Sequence, residues 1–327
     1  MQYRTLGKSG EKVSAIGLGC MGMAHAYGHR DDAESQATLE LSLDLGINFW
    51  DTADMYGNGQ NELQLAKVLA TRRKDVFLAT KFGFRYRDDN STYIDGSPAY
   101  LKQACEASLK RLGVETIDLY YAHRVDANVP IEETVGAMAE LVKEGKVRYL
   151  GLSEASAASI RKANAVHPVT ALQSEYSLWV RDVEKEILPV CRELDIALVP
   201  YSPLGRGALT GAVKDLGKLE ENDFRRGLPR FQTEAFANNL KIVEALETMA
   251  AGKQCTAAQL SLAWLLAKGD DIIPIPGTKR RKYLQENAAA ADIQLSPSDV
   301  QEIETLMAGY SVSGERYSEG ALKLVNK

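Results

Sequence analysis

Four side chains spread between positions 51 and 123 have the chemistry to move a proton onto a carbonyl oxygen. In "NFWDTADMYGNGQNE", residues 48 to 62, Asp51 ends a short apolar run, and Asp54 and Tyr56 stand on the turn that follows. Lys81 comes directly after "VFLAT", and His123 closes "IDLYYAH". An ammonium whose stem is flanked by core is costly unless a carboxylate lies near it, and Asp51 on the neighbouring run can supply one. A charged lysine beside a phenol favours phenolate, so the pairing predicts that Tyr56 titrates below its ordinary value of about 10. It would then give and take a proton near neutrality. His123 on the next run could hydrogen-bond the same oxygen and fix its position. Taken singly, these residues read more readily as a buried Asp51–Lys81 ion pair with Tyr56 capping a loop. Taken together they suit protonation of a carbonyl oxygen while a nucleophile reaches its carbon.

Side chains so far apart need a frame that brings them to one place. Short β-rich apolar runs alternate with stretches of helical period: "VSAIGLG" (13–19), "INFWDTA" (47–53), "VFLATK" (76–81), "IDLYYAH" (117–123), "VRYLGLSE" (147–154), "TALQSEYS" (170–177), "IALVPYSP" (196–203) and "DIIPIPG" (271–277). Between them lie "DDAESQATLELSLDLG", "SPAYLKQACEASLKRLG", "IEETVGAMAELVKEGK" and "SIRKANAVH", several ending on Gly or a basic turn as helices do. Eight such units, after a hairpin-like start, predict an α/β fold of (β/α)8 TIM-barrel type with an N-terminal β-hairpin. "SPSDVQEIETLMAG" adds an extra C-terminal helix before a polar tail. No Pro/Ser-rich linker divides residues 1–327, so one domain is expected. The irregular stretch from Leu204 to Thr233 would be a lid after the seventh strand. In such barrels the working residues stand at the C-terminal ends of strands. Here those ends carry Asp51, Lys81, His123, Ser153, Glu154, Gln173, Tyr201 and Ser202.

Composition excludes several classes. With 45% hydrophobic and 25% charged residues the chain has ample core and no disorder signature. A formal net charge of -5 argues against a nucleic-acid or anionic-membrane surface. The start "MQYRTLGKSGEKVS" has no apolar leader and no run is long enough to span a bilayer, so a cytoplasmic location is expected. Cys20, Cys105, Cys191 and Cys255 are dispersed and read as isolated thiols, which leaves the sequon at Asn90 idle.

"NFWDTADMYGNGQNE", "ATKFG", "DLYYAHRVD", "GKVRYLGLSEAS", "LQSEYSLW", "VPYSPLGRGALTG" and "IPIPGTKRRKYLQENAAA" resemble the aldo-keto reductase family, in order and over nearly the whole chain. The resemblance is to a bacterial-type aldehyde and ketone reductase branch. It implies a barrel that uses NADP(H) without a Rossmann domain, and a small-molecule carbonyl substrate. The family's tetrad falls on Asp51, Tyr56, Lys81 and His123. By the same likeness Ser153 and Gln173 would hold the nicotinamide carboxamide and Tyr201 would stack on the ring. Ser202, Leu204, Gly205, Arg206 and Gly207 would follow the pyrophosphate, and Glu286 and Asn287 would reach the adenine. A flat Tyr201 makes physical sense, because one face of the ring must be covered while the other delivers hydride. "GTKRRK", with Gly277, Thr278, Lys279, Arg280, Arg281 and Lys282, crowds cations at a helix N-terminus, where a 2'-phosphate would sit well. Two positions depart from the pattern. Tyr283 stands where some branches carry arginine, and Glu154 where many relatives carry asparagine.

Other signals point elsewhere. "GLGCMG" (17–22) spells G-x-G-x-x-G, but "MAHAYGHRDD" with a further Gly follows it, so it reads as a first barrel loop with Met21 near substrate. His25 and His29 are four apart, yet a Gly between them and the lack of a third ligand argue against metal. Arg124 and Trp179, just past strand ends, are candidate substrate-pocket residues. Two rival classes remain in view: a cofactor-sensing binding module of the same fold with little turnover, and a Schiff-base lyase using Lys81. The second requires a neutral amine.

Overall fold

Apolar runs buried along their whole length belong in a parallel sheet covered on both faces. The computed structural model, which describes residues 1–24, 26–89 and 91–326, puts them there. The chain opens with an antiparallel hairpin of β1 (Tyr3–Thr5) and β2 (Lys12–Ser14). Then come β3 (Leu18–Gly19), α1 (Met21–Ala24), α2 (Asp32–Asp44), β4 (Phe49–Asp51), α3 (Gln60–Arg72) and β5 (Phe77–Phe82). A small hairpin, β6 (Phe84–Tyr86) and β7 (Thr92–Ile94), follows, and no sequence pattern announced it. The alternation resumes with α4 (Pro98–Leu112), β8 (Ile117–Ala122), α5 (Ile131–Lys143), β9 (Val147–Ser153), α6 (Ala157–Val166), β10 (Val169–Glu175), α7 (Ile187–Leu194) and β11 (Ala197–Tyr201). The chain ends in α8 (Thr233–Gly252), α9 (Ala257–Ala267), α10 (Arg281–Ala289), α11 (Pro297–Ala308) and α12 (Glu319–Leu322).

The strands form a parallel sheet in the order β3-β4-β5-β8-β9-β10-β11, and residues 272–277 close it into a (β/α)8 barrel. The closing segment forms no regular ladder because Pro274 and Pro276 have no N–H to donate. It pairs nonetheless: Ile273 and Ile275 donate to Leu198 and Pro200 of β11, while Pro274 and Pro276 accept from Gly17 and Gly19. The run expected as one strand over 13–19 is divided between the hairpin and β3. Gly17 and Gly19 earn their type at this seam, since a Cβ at Gly19 would stand 2.9 Å from the Ile275 carbonyl oxygen. They serve barrel closure, not a dinucleotide turn. Contrary to the expected open loop, a single helical turn, α1, follows at once.

Inside the barrel, residues two apart share a face. Phe49, Phe77, Ala79, Leu119, Tyr121, Ala171, Ala197, Val199, Ile273 and Ile275 form the inner core, plugged below by Leu6 and Val13 of the first hairpin. Gly151 belongs to this layer too, because a Cβ there would lie 2.4 Å from the Tyr121 ring. Continuing each strand's parity by two positions reaches Asp51, Lys81, His123, Ser153, Gln173 and Tyr201. The inner face therefore turns polar at one end of the barrel.

Helix signals held where they were strongest. In α4, Ser97 accepts from the Tyr100 N–H, Pro98 takes the first position, and Gly113 ends the helix at φ +66°. Ser296 and Asp299 form a capping box on α11, the expected extra C-terminal helix. Between Leu204 and Thr233 the chain makes only short 3-10 turns. No helix among the described residues is long and apolar enough to cross a membrane.

Candidate active site

Asp51, at the end of β4, and Lys81, near the end of β5, are neighbours across the sheet, and both are almost wholly buried. The Lys81 ammonium donates to Asp51 Oδ1 at 2.5 Å, to the Thr52 carbonyl at 2.9 Å and to the Tyr56 hydroxyl at 3.2 Å. The other Asp51 oxygen accepts from Gln173 Nε2 at 2.7 Å. His123, one residue past β8, faces Tyr56 edge-on with ring centroids 5.9 Å apart, and Phe84 closes its other side at 4.9 Å. Its Nδ1 has no hydrogen-bond partner among the described residues. The four residues that could do proton chemistry are thus in one place.

Electrostatics at this point correct one expectation. Burial raises the Tyr56 phenol above its ordinary value, and Lys81 offsets only part of that rise. Tyr56 is therefore a protonated donor beside a cation that would stabilise the phenolate it leaves behind. Desolvation works against the charge of Lys81, yet Asp51 and Tyr56 together raise its pKa above the usual lysine value. A cationic Lys81 cannot attack a carbonyl, which removes the basis for a Schiff-base lyase. Burial, helped by Lys81 and Arg124, pushes His123 well below its ordinary value, so it is a neutral hydrogen-bonding group near pH 7.

The remaining predicted residues fall around the same mouth. Ser153 ends β9 and accepts from Arg124 Nη1 at 3.3 Å, while Arg124 also donates to the His123 carbonyl. Tyr201 ends β11, and its hydroxyl is 2.8 Å from that of Tyr317. Ser202 lies at φ +49°, and Gly205, Arg206 and Gly207 follow at φ +56°, +57° and +88°. Within this turn the Gly205 N–H donates to the Ser202 carbonyl at 2.9 Å and the Gly207 N–H to the Leu204 carbonyl at 3.0 Å, which holds the backbone in its left-handed course. Gly205 needs its type, because a Cβ would meet the Trp179 indole at 2.4 Å. Leu204 turns its side chain into a small core with Ile16, Ala258 and Leu262, so only its backbone can serve a ligand. Trp179 is buried beneath Gly205, where it lines a small cavity with Glu175, Arg206, Leu228, Arg230 and Arg316.

The basic cluster is less free than its sequence suggests. Lys279 donates to the carbonyls of Tyr27, Gly28 and His29. Arg281 is held by Glu34, whose carboxylate also accepts from the Arg281 N–H at the start of α10. Among the described residues, Arg280 alone of this pair of exposed arginines lacks a side-chain partner. Gly277 is exposed and Thr278 is buried beside it, Asn287 is buried, and Glu286 is half-buried. The first loop and the lid meet here too, through Phe224 N–H to the Ala26 carbonyl and Glu220 to the His29 N–H. His25 and Asn90 lie outside the described residues. Among the described residues no group of three or more His, Cys, Asp or Glu could hold a metal, and all four cysteines are free.

Sequence reasoning missed the part played by the tail. Arg316 donates to both oxygens of Glu154, at 3.0 and 2.6 Å, and lies 3.6 Å from Glu175 at the end of β10. Arg206 and Arg230 of the lid approach the same Glu175 at 3.6 and 4.0 Å. The unexpected Glu154 was the one available signal, since a carboxylate at a strand end needs a cation from somewhere.

Residues 15–308 match the model of the aldo/keto reductase family. A protein named "Probable aldo-keto reductase 1" from Glycine max is 48% identical over 319 residues, covering 96% of this chain and 91% of that protein. "Aldo-keto reductase yakc [NADP(+)]" from Schizosaccharomyces pombe is 47% identical over 317 residues, covering 95% and 93%. Among solved structures, a glycerol dehydrogenase from Gluconobacter oxydans superposes with a TM-score of 0.86 at 27% identity, over 96% of this chain and 97% of that one. The chain belongs to the aldo-keto reductase family.

Proposed function

We propose that this chain reduces aldehydes or ketones to alcohols with NADPH, Tyr56 acting as general acid. The observation that carries the reading is the buried Lys81 ammonium, held 2.5 Å from Asp51 and 3.2 Å from the Tyr56 hydroxyl at the polar end of the barrel. The residues present fit a nicotinamide dinucleotide. Arg280, exposed at the start of α10 and without a side-chain partner among the described residues, suits a phosphate. The name of the fission-yeast relative supports NADP as the form used. When bound, that cofactor supplies the hydride.

The chain's own residues do the rest. A neutral His123 offers a hydrogen bond that orients the carbonyl oxygen toward Tyr56. Tyr56 gives that oxygen its proton as charge develops, and Lys81 stabilises the phenolate, with Asp51 keeping Lys81 charged and Gln173 keeping Asp51 in place. Proton transfer of this kind is worth about 10² to 10⁴ in rate. The test is NADPH consumption over aromatic, aliphatic and sugar-derived carbonyls, with NADH in parallel, for the wild type and Tyr56→Phe. A folded Tyr56→Phe protein with undiminished hydride transfer would overturn the assignment.

A further inference from the structure

The segment after α11 is tied near its start to α8 and the loop before it, through Asn238 to Ser311, Asn239 to Ser313 and Arg230 to Gly314, and from Arg316 onward it is fastened to the barrel mouth at Glu154. Arg316 takes both carboxylate oxygens of Glu154. Near its end, the Asn326 N–H donates to the Glu154 carbonyl at 3.2 Å, and the Asn326 side chain accepts from the Ser156 N–H at 2.9 Å and the Ser159 hydroxyl at 2.7 Å. Glu154 Oε1 also accepts from the Glu175 N–H, so one side chain joins the ends of β9 and β10 to the tail. Glu154 holds a left-handed backbone conformation, φ +53°, that glutamate seldom adopts. Such conformations persist where the surroundings over-determine them, as this many partners do.

What the tail touches is Tyr201. The Tyr317 hydroxyl shares a 2.8 Å hydrogen bond with the Tyr201 hydroxyl, and Arg316 Nη1 is 3.5 Å from the same oxygen. The Arg206 guanidinium lies over the Tyr317 ring at 4.9 Å, which links the tail to the left-handed turn at 205–207. Strand β11 fixes the base of the Tyr201 ring. Among the described residues, the hydrogen bonds to its hydroxyl come from the tail.

We infer that Arg316 and Tyr317 are positioning residues of the cofactor site, holding the plane of Tyr201 on which the nicotinamide would rest, with Glu154 as the anchor of the tail. The inference rests on the cofactor reading proposed above. It also accounts for the glutamate at a position where the family pattern favours asparagine: the carboxylate belongs to the tail. The same contacts would have the opposite consequence if the tail had to leave before cofactor could bind, and the sign of a mutational effect separates the two.

The experiment uses the full chain with Tyr317→Phe, Arg316→Met and the pair Tyr201→Phe with Tyr201→Phe/Tyr317→Phe. It reads the NADPH Kd by fluorescence titration, KM for NADPH and for one carbonyl, and Tm. Loss of one hydrogen bond predicts that Tyr317→Phe raises the NADPH Kd and KM about 3- to 10-fold, with carbonyl KM unchanged and Tm lowered by no more than a few degrees. Arg316→Met should do more. In the Tyr201→Phe background the Tyr317 change should have no further effect, since its target hydroxyl is gone. Arg316→Met leaves a buried carboxylate alone and can fail to fold, in which case Tyr317→Phe decides. Tighter NADPH binding in the variants, unchanged binding, or additive effects in the double variant would each overturn the inference. Wild type that binds no NADPH would instead overturn the functional reading, and the inference with it.

Discussion

The two sides of the barrel mouth are held together in different ways. On the β4–β5–β8 side, the contacts of Lys81 join residues near in sequence, to Asp51 across 30 positions and to Tyr56 across 25, and one long-range bond, Gln173 to Asp51 across 122, ties it to β10. On the β9–β10–β11 side the contacts span the chain, with Arg316 reaching Glu154 across 162 positions and Tyr317 reaching Tyr201 across 116. The first side is supplied directly by strand ends, and its Asp51–Lys81 ion pair is fully enclosed. The second is a cluster drawn from distant segments, in which Arg206, Arg230 and Arg316 from lid and tail surround Glu175 at 3.6 to 4.0 Å. On the reading proposed above, the proton chemistry falls on the side built from strand ends and the cofactor contacts on the side completed by loop and tail.

This contrast breaks most visibly at Lys81. Lys81→Met should lower single-turnover hydride transfer by at least about 10² to 10⁴. It should also cost about 3–5 kcal/mol in denaturant unfolding, because Asp51 stays buried without its partner. Asp51→Asn/Lys81→Met should regain most of that stability and none of the activity. A single Lys81→Met variant as stable as wild type would mean that the two sides do not differ in enclosure.

On the other side, Glu154→Gln should loosen only the tail. Amide hydrogen exchange over residues 315–326 is expected to speed up by about tenfold or more while the β4, β5 and β8 amides stay protected. Uniform loss of protection across the barrel would erase the distinction.

Asp54 sharpens the comparison through pH. It stands two residues before Tyr56, one carboxylate oxygen is buried without a partner among the described residues, and burial, with Glu62 adding to it, pushes its pKa up to about 7. A carboxyl whose pKa is higher in the folded chain than its ordinary value of about 3.9 stabilises the fold below that value and loses the contribution as pH rises through 7. Asp54→Asn should therefore be more stable than wild type by about 1–3 kcal/mol at pH 8, the difference closing toward pH 4. Thermal melts across that range would expose a flat difference if the carboxyl is not strained.

The smallest effect is expected at Glu34, whose carboxylate occupies the start of α10 beside Arg281. Glu34→Gln should tighten NADPH about 2- to 3-fold and leave NADH unchanged, the gain fading in high salt because the pair is at the surface. Equal changes for the two cofactors would show that α10 does not meet the 2'-phosphate.

Much of the first side could be read from residue order alone. The ends of the apolar runs carry Asp51, Lys81, His123, Ser153, Gln173 and Tyr201, and the structure shows that these continue the inward-facing parity of each strand. Pro274 and Pro276 hid the eighth strand from any ladder rule but not from its apolar pattern. The β6–β7 hairpin, by contrast, has too few residues and too polar a face to announce itself.

The amino-acid sequence by itself determined the barrel, the polar end of its inner face and the identity of the Asp51–Tyr56–Lys81–His123 group, because periodicity and strand-end position are local properties. Only the tertiary structure decided that Lys279 is spent on loop carbonyls, that burial outweighs Lys81 in setting the Tyr56 phenol, and that the polar tail returns to grip Glu154 and Tyr201. Each of those outcomes depends on which distant groups share a small desolvated volume, and desolvation has no signature in the order of residues along a chain.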